Sequence, residues 1–131
     1  MRRTLASAAT YFAIVFSLAF MLGVVRTLFV APRTGDVVAV LIETPIVLFI
    51  SWLAAGWTAR RFSVPAKAPE RLTMGFTAFT LLMVVETTLS LLLFDRPLAQ
   101  QFAAYATPAG AIGVLGQVVF GFMPLLAARR L

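Results

Sequence analysis

Residues 37–57 read VVAVLIETPIVLFISWLAAGW, an apolar run that is interrupted only by Glu43-Thr44-Pro45 and a few small or weakly polar residues. A run of about 20 apolar residues is long enough for an α-helix to cross the hydrocarbon core of a bilayer. An ionisable side chain inside such a helix is costly and usually faces a polar partner. Glu43 therefore indicates that other polar residues lie at the same depth.

Three more runs of this length account for most of the 131-residue chain. The four predicted helices cover residues 5–30, 37–57, 72–94 and 109–127. Hydrophobic residues make up 61% of the chain and charged residues 12%, whereas soluble domains are about half apolar and about a quarter charged. The sequence predicts an all-α polytopic membrane protein in the lipid bilayer, with residues 1–131 forming a single antiparallel four-helix transmembrane bundle.

The net charge of +6 comes from basic residues at the ends of these helices. Eight of them fall on one side of the four-helix zigzag: Arg2, Arg3, Arg60, Arg61, Lys67, Arg71, Arg129 and Arg130. Only Arg33 and Arg96 fall on the other side. The positive-inside rule then predicts that both termini and the loop around residues 58–70 are cytoplasmic. Topology explains the basic excess, so no nucleic-acid partner is expected.

Two of the segments that connect the predicted helices contain residues that predict local structure. Residues 31–36 contain proline and glycine and predict a tight turn, with Asp36 as the cap of the second helix. Residues 97–106 begin with a proline and repeat apolar residues at helical spacing. This pattern predicts a short outer helix, either a plain connector between helices three and four or an interfacial helix on the membrane surface.

Each predicted transmembrane helix contributes one strongly polar residue at a similar depth. These residues are Arg26, Glu43, Glu86 and Gln117, which we call the polar layer. Each lies seven to nine residues from a polar residue or proline beyond the outer end of its helix, which corresponds to about 10–14 Å at the helical rise per residue. These reference residues are Arg33, Asp36, Asp95 and Pro108. The sequence therefore predicts that the polar layer lies near the outer side of the membrane.

The charges of the polar layer predict pairing. A lone charge at the bilayer centre costs about 2.5–3.5 kcal/mol on insertion scales, so Arg26 is expected to meet at least one carboxylate. One arginine and two glutamates leave a formal charge of −1. Protonation of one glutamate or binding of a cation would relieve that charge. The layer is therefore either a structural lock for the bundle or a site for an ion or solute.

Proline and glycine near the polar layer predict how the helices pack. Pro45 removes a backbone hydrogen bond two residues after Glu43, so a kink in helix two is expected there. Small residues let transmembrane helices approach closely. On this basis Gly23, Gly113 and Gly121 are expected to mediate helix packing.

Several classes of chemistry are excluded by composition. The chain has no cysteine and no histidine, which removes thiol chemistry, disulfides, histidine-ligated haem and ordinary zinc sites. It also has no evident nucleophile–base set or phosphate-binding loop. We therefore expect no metal, no cofactor and no catalytic residues, and we do not expect an enzyme.

A series of short motifs runs along the chain. They are Gly23-x-x-Arg26, Pro32-Arg33-x-Gly35, Glu43-x-Pro45, Arg60-Arg61-Phe62-x-Val64-Pro65, Glu86 and Met123-Pro124-Leu125. In these motifs, over nearly its whole length, the chain resembles a family of small bacterial four-helix integral membrane proteins with no known activity. The resemblance implies a multi-pass protein of the bacterial inner (cytoplasmic) membrane. It brings no activity, cofactor or catalytic residue.

Two functions follow from these observations. The first is a structural or accessory subunit of a larger membrane complex, whose polar layer fixes the helix bundle. The alternative is a small proton- or cation-coupled permease or channel that uses Glu43 and Glu86 as protonatable binding groups. Four helices enclose little space, so the alternative predicts a homodimer, and the strong charge asymmetry predicts that its subunits are parallel.

Overall fold

The computed structural model describes residues 2–92 and 98–128, and all regular structure in these residues is helical. The helices are α1 (Arg2–Val25), α2 (Ala31–Thr34), α3 (Asp36–Arg61), α4 (Ala68–Leu92), α5 (Leu98–Tyr105) and α6 (Pro108–Ala128), and a π-helical segment, Arg26–Val30, joins α1 to α2. Four helical segments are long and apolar enough to cross a membrane. This confirms the prediction of an all-α protein with four apolar helices and indicates that it is embedded in a membrane.

The four long helices form a square. Both α1 and α6 pack against α3 and against α4, so α1 lies diagonally opposite α6. The chain therefore consists of a first hairpin, α1 to α3, and a second hairpin, α4 to α6, packed side by side. We call the end of the bundle that holds Arg2, residues 62–67 and Ala128 the closed end, and the end that holds Gly35 and α5 the open end.

The closed end is the most tightly packed part of the bundle. Tyr11 is completely buried, and its ring stacks on Phe120 with centroids 4.6 Å apart. The Tyr11 hydroxyl donates a 2.6 Å hydrogen bond to the Phe120 carbonyl oxygen. Ser7 reaches the sulfur of Met74 at 3.4 Å. These contacts join α1 to α4 and, across the diagonal, to α6.

Arg71 is buried at the closed end, although its position near the loop predicts a solvated topological charge. Its side chain is 1% exposed. Its Nε donates to the Pro65 carbonyl at 3.2 Å, and its Nη1 donates to the Pro124 carbonyl at 3.0 Å. A cation near the carboxyl end of a helix is electrostatically favourable. Arg71 thus ties the 62–67 loop to the last turns of α6.

The loop after α3 begins with a standard C-capping arrangement on an unusual residue. Val64 N donates to Ala59 O at 2.8 Å and Ser63 N donates to Arg60 O at 3.2 Å, which is the hydrogen-bond pattern of a Schellman motif. Ser63 has a φ of 58°, in the left-handed region that glycine usually occupies there. Val64 is buried against the core, which accounts for the direction in which the chain leaves α3.

The first apolar helix runs further than predicted. Residues 31–34 remain helical, and Gly35 alone, with φ of 88°, separates them from α3. Pro32 has no N–H for the Leu28 carbonyl, and its ring would clash with that carbonyl in a regular α-helix. The wider π-helical turn before it relieves this clash, so the proline does not break the helix.

Three predictions about helix ends lie partly outside what the structure describes. The side chain of Asp36, the predicted cap, is outside the described residues, although its backbone begins α3. The predicted end of the third helix at residue 94 and the start of the outer helix at residue 97 fall in the undescribed segment. The helix of α3 continues through Pro45 without interruption, so the kink stays a prediction.

The closest approach of α4 to α6 occurs at Gly75 and Gly121. A Cβ atom built on Gly75 would overlap the carbonyl oxygen of Gly121. The two other glycines that were expected to mediate packing have different surroundings. Nothing lies within 4 Å of a Cβ atom built on Gly113, and the nearest neighbour at Gly23 is Nη2 of Arg26, at 3.8 Å. Neither glycine marks a close approach of two helices, because no atom of another helix lies within 4 Å of a Cβ position at Gly23 or Gly113.

Candidate solute-binding vestibule

The first half of the polar layer is an ion pair inside the first hairpin. Nη1 of Arg26 lies 2.9 Å from Oε2 of Glu43, which joins the π-helical segment to α3. The Glu43 side chain is 15% exposed and the Arg26 side chain 35%. Oε2 of Glu43 accepts no aligned hydrogen bond, so the contact is a charge pair rather than a directed hydrogen bond.

The second half of the polar layer lies inside the second hairpin. Nε2 of Gln117 on α6 donates a 2.7 Å hydrogen bond to Oε2 of Glu86 on α4. The hydroxyl of Tyr105, on α5, donates a longer bond of 3.4 Å to Oε1 of the same carboxylate. The ion pair between Arg26 and Glu43 is the only one found in the described part of the chain. Glu86 is therefore held by neutral donors.

A cavity of about 740 Å³ lies between the hairpins at the open end, and we call it the vestibule. Its polar lining residues are Arg26, Thr27, Glu86, Ser90, Tyr105, Thr107 and Gln117. Its other walls come mainly from the start of α6 and from the segment that contains Ala31 and Pro32. The polar residues of the vestibule thus come from both hairpins and from α5.

A second cavity, of about 190 Å³, lies deeper in the bundle, and we call it the chamber. Most of its wall is apolar, with Phe12, Val15, Phe16, Leu82 and Phe120 among the lining residues. The chamber ends toward Phe120, the residue that stacks on Tyr11. It therefore stops at the packed closed end.

Four residues line both cavities and so form the boundary between them: Arg26, Val40, Gly113 and Gln117. Two of the four belong to the polar layer. The absence of a side chain at Gly113 leaves the boundary open, since no atom lies within 4 Å of a Cβ position there. Solute that enters the vestibule would therefore pass the polar layer before it reaches the chamber.

Helical periodicity explains why these residues share one cavity. On α6 the lining residues Gly113, Gly116, Gln117 and Phe120 follow the i, i+3, i+4, i+7 spacing of a single helix face. On α3 the residues Val40, Glu43, Thr44 and Val47 follow the same spacing. The two faces approach closely where a Cβ atom on Gly116 would lie 3.3 Å from Cγ2 of Thr44.

One buried acceptor atom beside the chamber, Oε1 of Gln117, has no hydrogen-bond donor among the described residues. Oε2 of Glu43 is the oxygen of the 2.9 Å ion pair with Arg26. Nε2 of Gln117 is occupied by the Glu86 carboxylate, and this contact fixes which end of the amide points away from Glu86. Buried polar atoms in proteins are normally hydrogen-bonded, so this amide oxygen is an exception.

Sequence reasoning does not identify Tyr105 or Phe120 as parts of the site. Tyr105 belongs to the apolar repeat of the predicted outer helix, and nothing in that repeat predicts a bond to Glu86. Phe120 is one of 12 phenylalanines in the chain. A second feature, the π-helical turn that begins at Arg26, is frequent at functional sites but has no sequence signature here.

The described residues contain no group of three or more Asp, Glu, His or Cys side chains that could hold a metal ion. The carboxylates Glu43 and Glu86 belong to separate pairs on different hairpins. Chemically, the site offers carboxylate and amide oxygens next to an apolar cavity.

No family model matches the chain, and comparison with curated proteins and with solved structures finds no similar protein. The resemblance to a family of small bacterial membrane proteins therefore rests on the short motifs alone. The structure supports the general architecture of that resemblance, a small helical protein with four apolar helices, and not the identity of the family.

Proposed function

We propose that this chain is a small membrane permease for a protonated or cationic solute, with Glu86 as the protonatable group that binds it. One observation carries the proposal. Glu86 lines the vestibule, it receives hydrogen bonds from Gln117 and Tyr105, and no arginine or lysine of the described residues lies within 4 Å of it. A carboxylate without a cation partner in a membrane either takes up a proton or binds a cation.

The location of the polar layer favours a binding role over a purely structural one. A lock for the bundle would be expected among the most tightly packed residues. The largest of the completely buried side chains, including Tyr11, Met74 and Thr58, lie instead toward the closed end. The polar layer lines two cavities and keeps part of its surface free, with 35% of the Arg26 side chain exposed.

Competition at one carboxylate would couple the solute to protons. A cation that binds Glu86 must displace its proton, and a proton that arrives must weaken binding of the cation. This coupling is reciprocal, because each ligand changes the affinity of the other by the same factor. The Arg26–Glu43 pair is neutral overall, so it contributes polarity without a competing net charge.

The division into hairpins supplies a route for alternating access. Each polar pair joins helices of the same hairpin, α1 and α2 to α3 or α4 to α6, so movement of one hairpin against the other leaves both pairs intact. Passage through the closed end requires separation of Tyr11 from Phe120, which lie on different hairpins. Four helices enclose little space, so we propose a parallel homodimer as the working unit.

The membrane and the orientation that we propose rest on the resemblance to small bacterial membrane proteins and on the distribution of basic residues. We propose that the protein lies in the inner membrane of a bacterium with both termini cytoplasmic. Six of the described basic residues lie near the closed end and support this orientation by the positive-inside rule: Arg2, Arg3, Arg60, Arg61, Lys67 and Arg71. The vestibule would then open to the outer side, and the solute would be taken up from there.

The test is proton or cation flux in liposomes that contain the purified protein. We expect a pH-dependent flux from the wild-type chain and at least a tenfold loss for Glu86→Gln, because the amide cannot exchange a proton or carry a negative charge. Glu70→Gln is the matched control, since Glu70 lies in the first turn of α4, away from the vestibule. Thermal melting in detergent would establish that both variants remain folded.

Two results would contradict the proposal. One is the absence of flux across a broad panel of ions and small cations from a wild-type protein that remains monomeric. The other is full flux from Glu86→Gln.

A structural or accessory subunit is the second candidate, and it is favoured by the direct contacts within the polar layer. Arg26 with Glu43 and Glu86 with Gln117 each join neighbouring helices, as expected for groups that fix helix register. This candidate predicts that Glu43→Gln lowers bundle stability without abolishing any transport. Affinity purification in mild detergent followed by native mass spectrometry would reveal the larger complex that it requires.

A further inference from the structure

We propose that the closed end binds the headgroup of an anionic phospholipid, with its phosphate beside Arg60 where α3 meets the last turns of α6. This site lies at the opposite end of the bundle from the vestibule, so it is independent of the proposed permease. Three features of the closed end support the assignment: the position of Arg60, the charge of Arg71 and the depth of both in the bilayer.

The side chain of Arg60 lies over its own helix at the contact between α3 and α6. Its Nη1 is 3.4 Å from the position of a Cβ atom built on Gly56, one turn earlier in α3. The Cβ atom of Ala127, on α6, is 4.0 Å from the same position. The guanidinium group therefore lies where the two helices meet, and the absence of a side chain at Gly56 leaves room for it there.

Arg60 has hydrogen-bond donors without acceptors. A guanidinium group carries five N–H donors and no acceptor. Arg60 makes no hydrogen bond to any described residue, and the only ion pair found among those residues joins Arg26 to Glu43 at the other end of the bundle. The Arg60 side chain is exposed, so an acceptor from outside the protein can reach it.

A second cation lies at the same end of α6. Arg71 is 1% exposed and donates to the carbonyl oxygens of Pro65 and Pro124, which are neutral acceptors. Pro124 and Ala127 are both buried and lie one turn apart on α6. Arg71 and Arg60 are close enough for their charges to repel each other. An anion beside Arg60 would offset this repulsion.

The described side chains of the closed end do not supply that anion. Glu70 is the one acidic side chain described there, against six basic residues, and it forms no ion pair with any of them. In a bilayer, anionic lipid headgroups are concentrated next to the helix ends, and basic pockets between transmembrane helices bind them. A lipid phosphate is therefore the partner that this position suits.

The depth of Arg60 matches that of the headgroups. α3 has 26 residues and is about 39 Å long, so it exceeds the hydrocarbon core by about 9 Å and its last turn extends into the headgroup region. Trp57 is exposed three residues before Arg60, and tryptophan is enriched at the membrane–water interface. The Arg60 guanidinium, folded back over Gly56, thus lies at the boundary between hydrocarbon and headgroups.

The excess of positive charge selects the net charge of the headgroup. Phosphatidylglycerol carries only the negative charge of its phosphate, whereas phosphatidylcholine carries a quaternary ammonium group beside the phosphate. That ammonium group would lie near Arg60 and Arg71 and would be repelled by them. We therefore expect a preference for lipids with a net negative charge.

The experiment measures lipid retention by the purified full-length protein with native mass spectrometry. The protein in detergent receives equimolar phosphatidylglycerol and phosphatidylcholine with identical acyl chains. We expect phosphatidylglycerol to be retained at least fivefold more than phosphatidylcholine. Equal retention of the two lipids would overturn the inference, and this comparison needs no variant.

Two variants of α3 locate the site. Arg60→Gln should lower retention of phosphatidylglycerol at least fivefold. Arg61→Gln is the matched control, because Arg61 is the exposed neighbour in the same turn and its substitution removes the same charge. It should change retention less than twofold. Equal losses in the two variants would indicate diffuse attraction to the basic surface and would overturn the assignment to Arg60. Thermal melting in detergent would establish that both variants are folded.

Inorganic phosphate shares the chemistry of the headgroup but lacks acyl chains. Inorganic phosphate in millimolar excess should leave phosphatidylglycerol bound, and displacement of the lipid would overturn the assignment to a phospholipid. Flux in liposomes tests the permease separately, because Arg60 lines neither the vestibule nor the chamber. Loss of lipid preference with Glu86-dependent flux intact would therefore contradict this site alone.

Discussion

Arg71 illustrates how one residue can serve two purposes. It is one of the basic residues that predict a cytoplasmic loop, and it is also a buried donor to the Pro65 and Pro124 carbonyls. The planar guanidinium reaches both oxygens because its donors point in fixed, diverging directions. The position near the start of α4 predicts the first purpose, whereas the second depends on how α6 packs.

We predict that Arg71→Met lowers the free energy of unfolding by about 1–3 kcal/mol. The substitution keeps an apolar stem but leaves the Pro65 carbonyl without this donor and separates the loop from α6, and a lost buried hydrogen bond has about this cost. Thermal or SDS-induced unfolding in detergent measures the change. Lys67→Met is the control, because Lys67 is exposed in the same loop and its loss should change stability by less than about 0.5 kcal/mol. Equal stability of the two variants would refute the role given to Arg71.

Glu43 and Glu86 have similar local sequences but different environments. Each is preceded by two aliphatic residues and followed by threonine. Glu43 pairs with a cation, whereas Glu86 accepts hydrogen bonds from an amide and a phenol. Local sequence places each carboxylate at a depth in the bilayer, but the partner comes from the neighbouring helix. We assign the binding role to Glu86 for this reason.

At the level of helices, the contact of α4 with α6 depends on a glycine whose importance the sequence does not single out. Gly75 lies against the backbone of Gly121, with no room for a methyl group. Glycines Gly23 and Gly113 stand equally well in small-residue stripes, yet neither approaches another helix. A stripe of small residues marks a face of a helix, and the rotation of the partner helix selects which member makes the contact.

We predict that Gly75→Ala destabilises the bundle by about 1–3 kcal/mol, the usual cost of overpacking, because the methyl group meets backbone that cannot rotate away. Gly113→Ala makes the same chemical change where no neighbour lies within 4 Å. It should be neutral or stabilising by up to about 1 kcal/mol, since alanine favours the helix over glycine. Unfolding in detergent compares the two, and equal effects would contradict the close approach of α4 and α6.

The connection between α1 and α3 is another feature of the helices that differs from the expectation. A tight turn over residues 31–36 is predicted from Pro32 and Gly35, but the helix extends to Thr34. The π-helical segment begins at Arg26, a member of the polar layer. A wider turn changes the rotation of every residue before it relative to every residue after it. This local irregularity therefore contributes to the direction in which Arg26 faces.

For the whole molecule, polarity is distributed unevenly along the bundle. The closed end combines the tightest packing with most of the described basic residues, and the open end holds the vestibule and the polar layer. This asymmetry is what the proposed permease requires, because its open end would admit solute while its closed end would seal the membrane.

We predict that both termini are cytoplasmic, since in the sequence eight basic residues fall on the side of the four-helix zigzag that holds the termini and the 58–70 loop, and two fall on the other side. A C-terminal fusion to green fluorescent protein should fluoresce, and the same fusion to alkaline phosphatase should be inactive. An alkaline phosphatase insertion after Gly35 should be active, because the connection from α2 to α3 would then face the periplasm. The reverse pattern at both positions would invert the vestibule and contradict uptake from the outer side.

The lengths and composition of the apolar runs are sufficient to predict four membrane-spanning helices, because a bilayer requires about 20 apolar residues with internally satisfied backbones. Counting residues along those helices also predicts that Arg26, Glu43, Glu86 and Gln117 have similar depths, since the rise per residue is constant. Pairing is different. It depends on the rotation and neighbours of each helix, so the division of the layer into two pairs, the contribution of Tyr105 from α5 and the two cavities follow from packing. The buried hydrogen bonds of Arg71 cannot be predicted from the sequence for the same reason. Its acceptor Pro124 lies 53 residues away in the chain, and the two residues meet only when the second hairpin forms.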